Sequence, residues 1–126
     1  MLDRKDKMKE KIFAALTAHT AWKQKLAQAI DAGIIDPPPS VIAEDNLCVF
    51  GKWLYGEEIP IHVKQLPEYQ EVRQIHAQFH KLTSQIAMLA LVGEKEKATL
   101  MLEDGSEYLE LSDRLRSALL ALAKVV

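Results

Sequence analysis

Apolar residues recur at steps of three and four residues over three long stretches of the chain, a spacing that places them on one face of a helix. These stretches span residues 8–33, 67–92 and 94–126. Gly33 is a suitable end for the first stretch, because glycine tolerates the left-handed backbone conformation that ends many helices. Pro67 suits the first turn of the second, where its missing N–H leaves no hydrogen bond unmade. The periodicity therefore predicts three long amphipathic helices.

A shorter helical pattern lies between the first two long ones, at residues 44–55. Asp45 or Asn46 is the predicted N-cap, since both side chains accept hydrogen bonds from the free N–H groups of a first turn, and Gly56 ends the pattern. The proline-rich run 36–40 cannot continue a helix, because proline lacks an N–H donor. We expect a stiff connector there and a short helix after it.

Three long helices and one short helix, without strand-like alternation or an internal repeat, predict an all-α fold. The specific expectation is an elongated antiparallel four-helix bundle with one short helix, in a single domain that covers residues 1–126. Residues 56–66 show no helical period and are predicted as a loop, and Asp104-Gly105 is the weak point of the last helix. The tail 118–126 offers apolar side chains on more than one face, which favours a homodimer.

The composition argues against several classes of function. The formal net charge is −2 and no block of Lys and Arg is present, so the chain lacks the positive surface that draws proteins to nucleic acid. No apolar run approaches the roughly 18 residues of a membrane span, and residues 1–11 lack the apolar core of a signal peptide. We expect a cytoplasmic protein that binds no nucleic acid and does not insert into membranes.

Three histidines and the one cysteine form a candidate metal site. His76 and His80 are four residues apart, which places both imidazoles on one helix face, although such a pair also arises by chance. His19 falls on the apolar face of the first helix, and Cys48 lies near the start of the short helix, where a thiolate is favoured. Three His and one Cys complete a tetrahedral Zn²⁺ set. His62, in the predicted loop, is expected to be a solvated surface residue.

Three strings of residues resemble the motifs of the chemoreceptor zinc-binding domain family in order and spacing. They are His-Thr-Ala-Trp at 19–22, Cys-Val-Phe-Gly-Lys-Trp-Leu-Tyr-Gly at 48–56 and His-Ala-Gln-Phe-His at 76–80. The resemblance covers almost the whole chain and implies a bacterial four-helix module that occurs in chemoreceptors, in some diguanylate cyclases, and alone. Carried over position by position, it implies that zinc is bound by His19, Cys48, His76 and His80.

The resemblance implies a sensory or regulatory role in chemotaxis or cyclic di-GMP signalling. In the first hypothesis, zinc clamps the first three helices together and so controls a dimer mate or a partner, which is a chemoreceptor domain, a diguanylate cyclase output domain or a separate signalling protein. The second hypothesis is a redox sensor, in which an oxidant such as hypochlorous acid attacks zinc-bound Cys48 and releases the metal. The third is a structural zinc that holds up a docking module.

An enzyme is not expected, and no catalytic residue is assigned. Four protein ligands leave no coordination position for a reactive water. Residue 77, directly after the first histidine of the pair, is Ala, so the His-Glu-x-x-His arrangement of metalloproteases is absent. No Glu-x-x-His precedes any histidine, which argues against a di-iron carboxylate centre.

The aromatic residues of the motifs are predicted to pack around the site rather than to bind a ligand. They are Trp22, Phe50, Trp53 and Phe79. Gly51 lies inside the short helix, where glycine costs about 1 kcal/mol relative to alanine. We therefore expect Gly51 to permit a close approach between helices.

Overall fold

A computed structural model of the chain describes residues 3–126, and within that range helix is the only regular secondary structure. The all-α prediction is confirmed. The helices are α1 (Arg4–Thr20), α2 (Trp22–Ala32), α3 (Pro39–Ile42), α4 (Val49–Leu54), α5 (Ile61–Lys64), α6 (Pro67–Leu91), α7 (Lys95–Leu100) and α8 (Glu107–Val125).

The first predicted helix is present as α1 and α2, which meet at Ala21. Its N-cap is Asp3, whose carboxylate accepts a hydrogen bond from the Asp6 N–H at 2.8 Å, so the helix begins before the apolar stripe does. Ala21 keeps right-handed helical dihedral angles, and its N–H donates to the Thr17 carbonyl. The interruption is therefore slight. Gly33 ends α2 with a φ of 72°, as predicted.

The last predicted helix divides at its weak point into α7 and α8. Helix α7 ends at Leu100, and Gly105 lies in the connector with a φ of 81°, a left-handed conformation that does not fit a continuous helix. The Ser106 hydroxyl then caps α8 by accepting from the Leu109 N–H at 3.3 Å. The second long predicted helix is present as α6, which begins at Pro67 as expected.

The connectors contain more helix than expected. One helical turn, α3, begins at Pro39 within the proline-rich run, and another, α5, lies in the predicted loop. The predicted N-cap of α4 is wrong. Cys48 occupies that position, and Asp45 and Asn46 precede it in the loop. The Cys48 sulfur accepts a hydrogen bond from the Gly51 N–H at 3.2 Å and so replaces the expected oxygen.

Helix α6 lies at the centre of the packing. It contacts α2, α3, α5, α7 and α8, whereas α1 contacts α8, α4 and α2. The apolar spacing of α6 predicts Tyr69, Val72, Ile75, His76, Phe79, Leu82, Ile86 and Leu89 on its inward face, and all are buried except Leu89, which is half-buried. Burial of such side chains stabilises the fold by about 1.5–3 kcal/mol for each large one. Among the described residues, no helix combines the length and apolarity needed to cross a bilayer.

The apolar tail is mostly part of this core. Its buried residues are Ala118, Leu119, Leu122, Ala123 and Val126. Leu120 and Val125 are the large apolar residues of the tail that remain exposed. Most of the tail therefore has a packing role within its own chain.

Candidate metal centre

Four side chains from three elements meet at one point in the interior. His19 comes from α1, Cys48 from the N-cap of α4, and His76 and His80 from α6. One potential ligand atom from each lies within 4.8 Å of the others. The structure thus brings together all four residues that the sequence singled out.

The apolar stripe of α1 places His19 at the site. Met8, Ile12 and Ala15 are buried on the same face, and His19 follows Ala15 by four residues, so its ring lies one turn further along that face. Only 5 % of His19 is exposed. Its imidazole points inward because His19 lies on the helix face whose apolar residues form the core.

Two successive turns of α6 supply the histidine pair, and the start of α4 supplies the thiol. His76 is fully buried and His80 is 4 % exposed, whereas Cys48 is only half-buried. The Tyr69 hydroxyl on α6 donates to the Leu54 carbonyl at 2.8 Å, which ties the end of α4 to α6. This contact helps to hold α4, whose N-cap is Cys48, against the helix that carries the histidine pair.

Five of the six separations between the ligand atoms are close to those around one tetrahedral ion. The Nε2 atom of His76 lies 3.0 Å from that of His19 and 3.1 Å from that of His80, and the His19 and His80 Nε2 atoms are 3.4 Å apart. The Cys48 sulfur lies 3.5 Å from the Nε2 atoms of both His76 and His80. A tetrahedron with Zn–N bonds of about 2.05 Å and a Zn–S bond of about 2.3 Å requires about 3.3 Å between two nitrogens and about 3.6 Å between a nitrogen and the sulfur.

Hydrogen bonds to carbonyl groups fix the tautomer of two rings. The Nδ1–H of His19 donates to the Ala15 carbonyl and that of His80 to the Ile42 carbonyl, each at 2.8 Å, because a carbonyl only accepts. In the neutral rings, both Nε2 atoms then carry lone pairs. These lone pairs face each other at 3.4 Å, where a hydrogen bond between them is impossible and a cation is the complementary partner.

Burial keeps the rings neutral and the thiol protonated in the absence of a metal. Loss of hydration is the main cause that lowers the pKa of His19 to about 4 and that of His76 to about 2, with the neighbouring rings adding to it. The pKa of His80 is lowered for the same main reason. Burial raises the pKa of Cys48, although the Gly51 and Phe50 N–H groups oppose this. The imidazoles are thus ready to bind a metal without losing a proton.

Two of the four aromatic residues predicted to pack around the site, Phe50 and Phe79, meet its histidines. The Phe50 ring meets the His76 ring edge-on with centroids 5.1 Å apart, and Phe79 meets His19 at 5.5 Å. Trp53 is also buried, but Trp22 is half-buried and has the Lys25 ammonium 4.9 Å from its ring centroid. Phe50 and Phe79 therefore limit the access of water to the site.

Gly51 is required for a different contact from the one expected. A Cβ atom at this position would lie 1.8 Å from the Asp45 carbonyl oxygen, so the close approach is between α4 and the preceding loop rather than between two helices. This approach places the Gly51 N–H at the Cys48 sulfur. The glycine of the motif thus helps to position the thiol.

Three groups around the site were not predicted. The carbonyls of Ala15 and Ile42 orient two rings, and Asp45 lies beside the third, with an oxygen 3.7 Å from the Nδ1 atom of His76. The sequence offers no signal for a backbone carbonyl such as that of Ile42, which lies 38 residues from its partner. His62 is exposed on α5 and is not part of the cluster, in agreement with its predicted surface role.

Comparison with protein families matches residues 19–87 to the chemoreceptor zinc-binding domain. No match was found among curated proteins or among solved structures. The matched range is more than half of the 126 residues and includes all four residues of the cluster. The family match and the His₃Cys cluster together support Zn²⁺ as the cofactor. The chain belongs to the chemoreceptor zinc-binding domain family.

Proposed function

We propose that this protein is a zinc-binding sensory and regulatory module in which His19, Cys48, His76 and His80 are the zinc ligands. The observation that carries the proposal is the convergence of the three Nε2 atoms and the sulfur at separations suited to one tetrahedral ion. Apposed lone pairs in a dry interior are unfavourable without a cation, and zinc relieves this repulsion.

The regulatory step in this proposal is mechanical. The ligands lie on α1, at the start of α4 and on α6, so all three elements are fixed relative to one another when zinc is bound. Without zinc, a thiol and three neutral imidazoles face one another, and the α4 segment is held by fewer interactions. A shift of this segment is then available for transmission to a partner.

A redox sensor is the second candidate, and the exposure of the ligands favours it over a purely structural site. Cys48 is half-buried, whereas the three histidines are at most 5 % exposed. Cys48 is therefore the most exposed residue of the cluster and the one best placed to meet a small oxidant. Oxidation to the sulfenic acid would weaken its bond to the metal and release the α4 segment.

The proposal also covers the oligomeric state of the protein, its partners and the arrangement of its helices. We infer a non-enzymatic, cytoplasmic module that acts through a homodimer and through a chemoreceptor, a diguanylate cyclase output domain or a separate signalling protein. The elongated antiparallel four-helix arrangement belongs to the same proposal, with α1–α2, α6 and α7–α8 as its long members and α4 as the short one. Exposed Phe13 and Leu120 are apolar side chains that a dimer contact would cover.

Elemental analysis of the purified protein, followed by chelation, tests the proposed function. We expect one zinc per chain, retained much more weakly by Cys48→Ala and His80→Ala but normally by His62→Ala. Circular dichroism recorded during chelation then separates the hypotheses. A largely surviving helical signal with reversible rebinding supports a zinc sensor, whereas loss of helicity supports a structural zinc. Tight retention with release by mild hypochlorous acid supports the redox sensor, and no zinc after reconstitution contradicts all three.

A further inference from the structure

The Nδ1 atom of His76 is buried and has no hydrogen-bond partner among the described residues. His19 and His80 differ in this respect, because each donates from Nδ1 to a backbone carbonyl. A fully buried polar nitrogen without a partner is unusual, since its desolvation is uncompensated. The third ring of the site therefore lacks the orienting contact that the other two possess.

The nearest candidate acceptor is the carboxylate of Asp45. Its Oδ2 atom lies 3.7 Å from His76 Nδ1, somewhat beyond hydrogen-bond length, and its side chain is 22 % exposed. The Tyr55 hydroxyl donates to the same carboxylate from the end of α4. A carboxylate accepts several hydrogen bonds at once, so the contact with Tyr55 leaves capacity for His76.

The loop that carries Asp45 also adjoins the sulfur. The Asp45 carbonyl oxygen lies 3.9 Å from the Cys48 sulfur and occupies the space left by the missing side chain of Gly51. Backbone and side chain of Asp45 thus lie next to two different residues of the cluster. Its position is constrained by the Tyr55 hydroxyl at its carboxylate and by Cys48 and Gly51 at its carbonyl oxygen.

A metal bound to the Nε2 atom of His76 requires the proton of the neutral ring to be on Nδ1. The Nε2 atom faces those of His19 and His80 at 3.0 and 3.1 Å, so in a zinc complex this nitrogen supplies the lone pair. The proton of the neutral ring is then on Nδ1, on the side of Asp45. A carboxylate that accepts from a ligating imidazole raises its basicity and fixes its orientation.

We propose that Asp45, held by the Tyr55 hydroxyl, accepts the Nδ1–H hydrogen bond of His76 in the zinc-bound protein and thereby strengthens zinc binding. Asp45 is a positioning residue and does not itself bind the metal. It supplies the only carboxylate acceptor to the three rings among the described contacts, so His76 becomes the most basic of the imidazole ligands. This inference rests on the proposed ligand set.

Zinc affinity, measured by competition with a chromophoric chelator, tests the inference. Asp45→Asn removes the negative charge at nearly constant shape, and we expect a 10- to 100-fold loss of affinity. Glu44→Gln is the matched control, because Glu44 is the exposed neighbour and loses the same charge without a contact to His76. We expect its affinity to stay within about twofold of the parent, as for a surface charge that solvent screens. In a His76→Ala background the effect of Asp45→Asn should largely disappear, whereas in a His80→Ala background it should persist.

The outcomes distinguish this inference from the proposed function. The role of Asp45 is overturned if Asp45→Asn and Glu44→Gln lose equal affinity for zinc. It is also overturned if Asp45→Asn keeps its affinity while His76→Ala loses much of it. Both results leave the proposed zinc site intact. A parent protein that binds no zinc overturns the proposed function instead. If Asp45→Asn does not fold, nitrogen-15 NMR of the zinc-loaded parent decides. A His76 proton on Nδ1 with slow exchange supports the inference, and a rapidly exchanging one contradicts it.

Discussion

The Nε2 atoms of His19 and His76 lie 3.0 Å apart, although 57 residues separate them in the chain. His19 donates its Nδ1 proton to the Ala15 carbonyl, so its Nε2 atom offers only a lone pair to this contact. The two rings meet because α1 and α6 each turn an apolar stripe inward and carry a histidine within that stripe. Two polar rings in a hydrophobic core are explained most directly by a shared ion.

Substitution of His19 or His76 should weaken zinc binding far more than substitution of His62, the histidine outside the cluster. We expect His19→Ala and His76→Ala each to lower zinc affinity by about 100-fold or more, since loss of a ligand exceeds the 10- to 100-fold effect of an outer contact. His62→Ala is the matched control, because His62 is exposed on α5. Chelator competition measures all three, and equal affinities in all variants would refute the assignment.

The stability of the metal-free protein should fall in mild acid. The pKa of His19 is lowered from 6.5 to about 4 in the folded chain, chiefly by burial, and that of His76 is lowered further. Below pH 6.5 the unfolded chain takes up protons that the folded chain does not, so stability is complete above this pH and is lost as the pH falls toward 4.

Each such histidine contributes a slope of up to about 1.4 kcal/mol per pH unit. Urea unfolding of the metal-free protein at pH 7.5, 6 and 5 measures the free energy of unfolding. His19→Ala should give a shallower pH dependence than the parent. A free energy of unfolding that rises on acidification would contradict the burial of neutral imidazoles.

Zinc binding near pH 7.5 should release about one proton, and this proton should come from Cys48. Burial raises the pKa of the thiol above its ordinary value of 9.0, so the metal must displace its proton, whereas the imidazoles are already neutral. Calorimetric titrations in two buffers of different ionisation enthalpy give the number of protons. Cys48→Ala should release almost none, and release of two or more protons by the parent would indicate charged histidines.

A side chain at position 51 should disturb both the fold and the site. The Cβ atom of Gly51→Ala would lie 1.8 Å from the Asp45 carbonyl oxygen, so the loop or α4 must move at a cost of roughly 1–3 kcal/mol. The same movement separates the Gly51 N–H from the Cys48 sulfur. We therefore expect lower stability and weaker zinc binding. Lys52→Ala, on an exposed position of the same helix, should change neither by much.

Periodicity alone predicted most of the helical structure. The boundaries at Gly33 and Pro67 follow from the backbone preferences of glycine and proline, and both are confirmed. The single turns α3 and α5 were missed, because four residues are too few to show a 3.6-residue period. The break at Gly105 was recognised only as a weak point, since a glycine in a helical pattern is compatible with either continuation or termination.

The site was easier to predict than its surroundings. The cluster could be found because His and Cys are few in this chain and fall on inward faces or at a helix start. The N-cap of α4 was mispredicted because N-caps favour Asp and Asn, which occupy positions 45 and 46. Cysteine is not among the favoured residues, yet Cys48 occupies the N-cap. The Ile42 carbonyl and the Asp45 carboxylate depend on how a loop folds over α6, which no local pattern specifies.

X-ray absorption at the zinc edge, on protein reconstituted with one equivalent of zinc, tests the proposed His₃Cys centre. It reports the number and type of ligand atoms around the metal. We expect three nitrogen neighbours at about 2.0 Å and one sulfur at about 2.3 Å. Cys48→Ala should lose the sulfur shell alone. A parent spectrum without sulfur, or with a shell of oxygen atoms in its place, would contradict a centre built from His19, Cys48, His76 and His80.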